Sequence, residues 1–384
     1  MAADAEIRQP SRARACLAAV VLVVFGVAPA LALAERIDHE YTEGEWLSVG
    51  GIAATAAQCQ NVVKGEDGDD DCSGTLVVQP EASLRPTERD EVFVKLGFAS
   101  SNLLNNRTPL AVSPWAADLE DDVENVNDTS RDYLLTAWYR HAFSYGEDSS
   151  LGIVAGLIDA TDLLDENAYA NDEFTQFMNS ALVNGPNTFL PSYDPGAAVD
   201  WHVGEFSLHG VYMSVDSEIS SGDTAFYALQ FGWHPENRFG SGNYRLILTR
   251  TGRGFANPEE TDEERRQDII LSADQQLGDT LGVYARVEFQ EDNAAVLAES
   301  TWSAGMQSVG TPWGREQDTV GLGVIYAHGG NLELRDGYNT EAYYRYAFSD
   351  ALGVSGSVQY GYGDIAAPED VEVWTFGLRF TAEF

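Results

Sequence analysis

The chain has 384 residues, 44% of them hydrophobic, and a formal net charge of −39 at pH 7. That length supports one large core or one large barrel. So negative a molecule repels phosphate, which excludes nucleic acid as a partner and argues equally against a basic membrane-surface binder.

The first element along the chain reads as an export signal. Arg8, Arg12 and Arg14 precede an apolar run from Cys16 to Val27, followed by Pro29 and Ala30-Leu31-Ala32-Leu33-Ala34. Ala32 and Ala34 have the spacing a signal peptidase reads, so residues 1–34 are expected to be a cleaved signal peptide and 35–384 the mature domain. A permanent anchor helix would need about 20 apolar residues, and Pro29 interrupts the run early. No later stretch is apolar enough to span as a helix. That leaves a soluble secreted protein or a membrane β-barrel. The mature part keeps Cys59 and Cys72, an even pair in an exported chain and therefore an expected disulfide. There is no second pair for a tetrahedral metal site, and no cofactor is expected. The acidic runs Glu66–Asp71, Asp118–Asp122 and Glu259–Glu264 read as solvated loops. The first could alternatively hold a divalent cation, although it lacks the full spacing of a calcium loop.

From there on, period-two alternation dominates. Trp374, Phe376, Leu378, Phe380, Ala382 and Phe384 share one face of the last segment, with Thr375, Arg379, Thr381 and Glu383 on the other. Leu281 to Gln290, Leu352 to Tyr360 and Val92 to Phe98 repeat the pattern. It predicts sixteen strands, near 43–55, 75–84, 91–99, 132–143, 150–158, 196–203, 205–215, 224–233, 243–251, 267–276, 281–290, 299–308, 317–327, 340–348, 352–361 and 371–384. Most match the ~9–11 residues a tilted strand needs to cross a bilayer. An even count closes an up-and-down antiparallel barrel with both termini on the periplasmic side.

The connections alternate in length. Those expected to be periplasmic are short, such as Gly204 and Leu277 to Thr280. The long ones, Ala56 to Gly74, Ser100 to Arg131, Asp159 to Pro195 and Thr251 to Arg266, all fall in the other class. Outer-membrane barrels sort their loops this way, whereas a soluble sandwich has no reason to. Aromatic residues near strand ends, including Tyr343, Tyr344, Tyr360, Tyr362 and Trp374, suit interfacial girdles. A terminal Phe384 resembles the signature that the barrel-assembly machinery reads, which makes that machinery an expected partner alongside outer-membrane lipid.

If the apolar faces meet lipid, the opposite faces line a wet lumen. It would hold Lys95, Thr136, Trp138, Arg140, Asp200, His202, Glu205, His209, Arg245, Asp268, Asp274, Arg286, Glu288, Glu341, Arg345 and Arg379. For most of these charges an intrabarrel salt bridge is the simplest role.

The segment 159–195 is the longest connection and the least strand-like. It mixes Asp, Asn, Gln and Glu with Phe and Tyr. Paired polar groups can engage vicinal hydroxyls and aromatic faces can pack on a pyranose ring, so the segment suits sugar contact; a loop that merely narrows the barrel is the alternative. Candidate contacts are Asp159, Asp165, Asn167, Asn171, Asp172, Glu173, Gln176 and Phe177, with Trp138 and Arg140 on the wall.

Leu164-Asp165-Glu166-Asn167-Ala168-Tyr169-Ala170-Asn171-Asp172-Glu173, Thr175-Gln176-Phe177 and Leu190-Pro191-Ser192-Tyr193-Asp194-Pro195-Gly196 resemble the carbohydrate-selective outer-membrane porins of the OprB family. So do Tyr343-Tyr344-Arg345 and Trp374 to Phe380. The resemblance implies a 16-stranded barrel in a Gram-negative outer membrane, with outer loops folded inward to form a constriction that admits monosaccharides such as glucose. It does not fix which residues touch sugar. The acidic 118–128 stretch and the cysteine-bracketed loop do not look like shared features, which leaves sugar and cation preference open.

No catalytic constellation stands out: there is no Gly-x-Ser-x-Gly elbow, no His-Glu-x-x-His and no phosphate-cradling loop, and the histidines are dispersed. The expectation is a non-enzymatic porin for passive, carbohydrate-selective diffusion, with small sugars as its solutes. A general or cation-preferring porin, and a secreted soluble β-sandwich lectin or enzyme, are the rivals. A homotrimer is left open, since no segment marks a protein–protein face.

Overall fold

The computed structural model describes residues 46–65, 70–105, 107–108, 115–145, 148–219, 222–366 and 370–384. The expected signal peptide and most of the acidic run after Gly65 lie outside them. Sixteen long antiparallel strands close into a barrel. They are β1 Leu47–Lys64, β2 Asp71–Thr87, β3 Asp90–Leu96, β4 Leu134–Ser144, β5 Ser149–Ile158, β6 Asp194–Val203, β7 Phe206–Asp216 and β8 Asp223–Trp233. Then come β9 Gly240–Thr251, β10 Gln267–Leu277, β11 Leu281–Gln290, β12 Ala298–Gly310, β13 Arg315–Gly329, β14 Leu334–Ala347, β15 Leu352–Ile365 and β16 Val371–Glu383. Each strand pairs with the next, and β16 returns to β1 through a register running from Ile52↔Glu383 to Lys64↔Glu372. Gly51 and Phe384 exchange both backbone hydrogen bonds at this seam, 2.8 and 3.0 Å long.

Strand β8 shows why the sheet closes with its apolar side out. Tyr227, Leu229, Phe231 and Trp233 are exposed, whereas Thr224, Phe226, Ala228 and Gln230 between them are buried. Phe231 is 46% exposed and Gln230 only 1%. Water would favour the reverse order, so the outer surface is one that meets lipid. Closure pairs every strand on both sides, which satisfies the backbone where no water can.

Four expectations need correction. The connection Ala56 to Gly74 is mostly strand: β1 and β2 continue to Lys64 and from Asp71, with Cys59 opposite Cys72 and the two joined by a disulfide. Ala53 through Gln58 are small or buried on both faces, so alternation is not visible there in the sequence. Glu205 is not in the lumen; it occupies the hairpin turn between β6 and β7, where it accepts from Trp233 Nε1. Tyr343 belongs to no girdle: it points inward, 3% exposed, and donates to Gln307. Asp118 to Asp122 is not simply a solvated loop, because Trp115, Leu119, Val123 and Val126 around it are fully buried and draw the segment into the barrel.

Candidate functional site

The segment between β5 and β6 folds into the barrel and is fastened there by charged wall residues. Glu341 on β14 accepts the backbone N–H groups of Met178 (3.0 Å) and Asn179 (2.8 Å). Glu288 on β11 accepts from Asn187 N at 2.8 Å. Arg286 donates to the carbonyl of Ala170 at 3.0 Å, and Arg379 donates to those of Glu173 and Gln176. Arg245, which also pairs with Asp274 at 2.7 Å, reaches the carbonyl of Glu166. A loop carried into a barrel brings backbone polar groups that strand pairing cannot satisfy. Carboxylates for its N–H groups and guanidinium groups for its carbonyls supply strong substitutes. These wall charges therefore serve loop attachment more than wall-to-wall salt bridging.

The predicted site residues divide on this scaffold. Asp165 is fully buried against Arg286, with Oδ2 2.6 Å from Nε. Asn167 donates to Ser272 at 3.2 Å. Phe177 packs edge-on against Tyr284 and Tyr343, its ring 6.0 and 5.2 Å from theirs. Asp172 accepts from the backbone of Phe174 and Thr175, at 2.8 and 2.9 Å. Gln176 ties Asn171 N to the carbonyl of Ala168. Each of these five side chains has its chemistry engaged in holding the segment's shape. Trp138 and Arg140 lie on the wall strand β4, where Trp138 packs on the apolar cluster that includes Ala160 and Leu164 of the segment. Trp138 stacks on Phe93 at 4.9 Å, and Arg140 pairs with Asp200 at 2.9 Å.

Asp159, Asn171 and Glu173 come together. They line a polar cavity of about 270 Å³ between the segment and the wall, with Lys95 of β3, Asp118, Asp162 and Tyr193. Lys95 Nζ is 3.7 Å from Asp162 Oδ2 and is the one basic group in that lining. Asp118 accepts from Tyr193 Oη and from Gln79 Nε2, both at 2.6 Å. Burial raises the Asp118 carboxyl above its ordinary value. Burial, with Asp162 beside it, pushes Asp159 up to about 7; Asp159 still accepts from Thr161 and Ser192. Burial, with Asp172 adding to it, pushes Glu173 up to about 8. Asp118, Gln79 and Tyr193 escaped the sequence reading. The signal was present for Asp118 in the apolar spacing of Trp115, Leu119, Val123 and Val126, which no solvated loop requires.

The family model for the carbohydrate-selective porins, the OprB family, matches residues 120–384. An uncharacterized protein of Aquifex aeolicus (strain VF5) is 29% identical over 273 residues, which is 71% of this chain and 74% of that protein. Among solved structures, the high-pH structure of Pseudomonas putida OprB superposes with a TM-score of 0.68 at 16% identity, covering 88% of this chain and 94% of the other. A mutant of the Rh. blastica porin does so with a TM-score of 0.52 at 16% identity, covering 88% and 100%. At such identities the structures speak for the barrel alone, while the family match extends from the acidic stretch before β4 through the inward segment to the last strand. It makes the protein a channel of the Gram-negative outer membrane. This chain belongs to the carbohydrate-selective porins of the OprB family.

Proposed function

We propose that the cavity between Lys95 and the inward segment is the constriction where solutes are selected, and that monosaccharides such as glucose pass through it. The observation that carries this is the character of the lining. Carboxylates at Asp118, Asp159, Asp162 and Glu173, the amide of Asn171, the ammonium of Lys95 and the phenol of Tyr193 face a space of about 270 Å³. Acceptors and donors set close together suit a ring bearing adjacent hydroxyls, each of which both gives and takes a hydrogen bond. Passage needs contacts weak enough to release the solute, and hydrogen bonds to an uncharged sugar, each exchangeable with water, meet that need.

Of the residues expected to touch sugar, Asp159, Asn171 and Glu173 are the ones this reading keeps in that role. Asp165, Asn167, Asp172, Gln176 and Phe177 hold the constriction in place. Reconstituted in liposomes, the protein should pass glucose faster than a charged solute of the same size, and in planar bilayers glucose should reduce the ion current. Equal passage of both solutes, with no block by glucose, would remove the selectivity and leave a general pore.

Cation preference is a second reading, supported by the same lining, where four carboxylates face one ammonium. A reversal potential in a KCl gradient measures it directly. Sugar block and cation preference are compatible, and the balance between them is set by how many of the carboxylates are ionised.

A further inference from the structure

Beyond Asn184 in the same segment, the outer mouth holds a second and larger cavity of about 510 Å³. Its wall is formed by the outer ends of β11 to β15 and the turns joining them. Val296, Ile325, Leu332 and Leu334 make an apolar stretch of that wall, and Asn187, Arg266, Gln290, Thr301, Glu333 and Asn339 bring polar side chains to the rest. The Arg266 guanidinium lies over the rings of Phe255 (4.8 Å) and Phe189 (5.5 Å), which hold it at the edge.

An aqueous channel in so acidic a protein has no structural need for an apolar hollow at its entrance. Apolar groups facing such a hollow forgo the contacts they would make with one another. A concavity of this size, with a greasy wall and a few polar groups, has the form of a small-molecule site. It also adjoins the constriction. Ala181 and Asn187 line it, while Ser180, Val183 and Asn184 line the inner cavity, so one short stretch of chain separates the two.

We propose that this outer cavity is a second solute site, which takes neutral glycosides bearing an aryl group. The aryl ring rests on the wall made by Val296, Ile325 and Leu334, and the sugar hydroxyls turn toward Arg266 and Asn339. A neutral solute fits because the molecule's net charge of −39 repels anions, while the lining sets one guanidinium, Arg266, against one carboxylate, Glu333, and so offers no net charge to a cation. The proposal rests on the sugar-passing reading of the constriction and extends it to the order of events: the ring is caught at the mouth before the sugar is delivered inward.

The test is current block in planar bilayers, with 4-nitrophenyl glucoside or glucose added to the outer side of the whole protein. The glucoside should block at a concentration about tenfold below that of glucose. Ala327→Trp, which fills the hollow from the inward face of β13, should bring the two concentrations together and leave glucose block unchanged. The double change Leu332→Asn and Leu334→Asn, made at the rim where folding is little affected, should do the same. Equal block by the two compounds in the unaltered protein, or glucoside block that survives both variants, overturns the outer site while the constriction stands. Absence of block by either compound overturns both.

Discussion

Arg286 of β11 and Asp165 of the inward segment meet with Nε 2.6 Å from Oδ2, and neither side chain is reached by solvent. This pair joins the barrel wall to the inward segment. Removing one member leaves the other as a buried, uncompensated charge, which typically costs about 3–5 kcal/mol, whereas an apolar pair of similar volume is often neutral. Arg286→Met or Asp165→Leu alone should therefore loosen the segment. Single-channel recordings should show a larger and noisier open current with weaker glucose block. The double variant should recover much of the quiet state. Single variants indistinguishable from the unaltered channel would mean that the hydrogen bonds to Glu341 and Glu288 and from Arg379 suffice without this pair.

Lys95 is the counter-charge to Asp118, Asp159, Asp162 and Glu173. Lys95→Met keeps the stem and removes the ammonium. The reversal potential in a KCl gradient should move toward that of potassium, since the four carboxylates then act unopposed. An unchanged potential would place the selective charges elsewhere in the channel.

The raised carboxyls give the constriction a pH dependence within the neutral range. With Asp159 at about 7 and Glu173 at about 8, both are largely neutral at pH 5.5 and gain charge as pH rises through those values. Cation preference should thus grow between roughly pH 6 and pH 9. Stability has the opposite sign. Between the ordinary carboxyl value and pH 8 the folded segment binds more protons than the unfolded one, so its packing weakens as pH rises across that window. The double variant Asp159→Asn and Glu173→Gln should flatten the selectivity profile. A slope that persists in that variant assigns the titration to other groups.

The two faces of β8 separate lipid from lumen in adjacent residues. Phe231→Arg places a charge against hydrocarbon, a cost of ~2–4 kcal/mol at mid-bilayer that falls toward the interfaces. His202→Arg adds the same charge on the inner face of β6, where the side chain is 44% exposed to the lumen. Folding titrations in urea with lipid vesicles should show the first variant destabilised by more than the second. The reverse order would contradict the assignment of faces.

Much of this architecture is legible from residue order because lipid enforces a strict rule. Where a strand crosses hydrocarbon, as at Leu281 to Gln290, each outward position must be apolar and the inward ones are free to be Tyr, Arg and Glu. The rule does not show at Ala53 through Gln58, where both faces are buried, and the end of β1 beyond Thr55 and the first four residues of β2 read as loop. The inner face is itself packed there, with Ala54 and Ala56 under Trp115. The inward segment could be recognised by its failure to alternate, but not the duty of each residue in it. Asp165, Asp172 and Asp159 are the same side chain in similar surroundings of sequence. One is buried against Arg286, one caps a turn at Phe174, and one faces the cavity. For Asp165 and Asp159 the deciding partners, Arg286 and Lys95, lie far off in the chain, while the turn at Asp172 is made by its neighbours and looks no different in the sequence.

The fastening of the inward segment also bears on how uptake can be controlled. A flap able to swing would need a hinge and a face that gives way, yet this stretch is secured to β9, β10, β11, β14, β15 and β16 by groups on nearly every side. Such an aperture is a sieve of fixed mesh. Throughput then scales with the number of copies in the envelope and the gradient across each, so a cell adjusts supply by making more barrels or fewer.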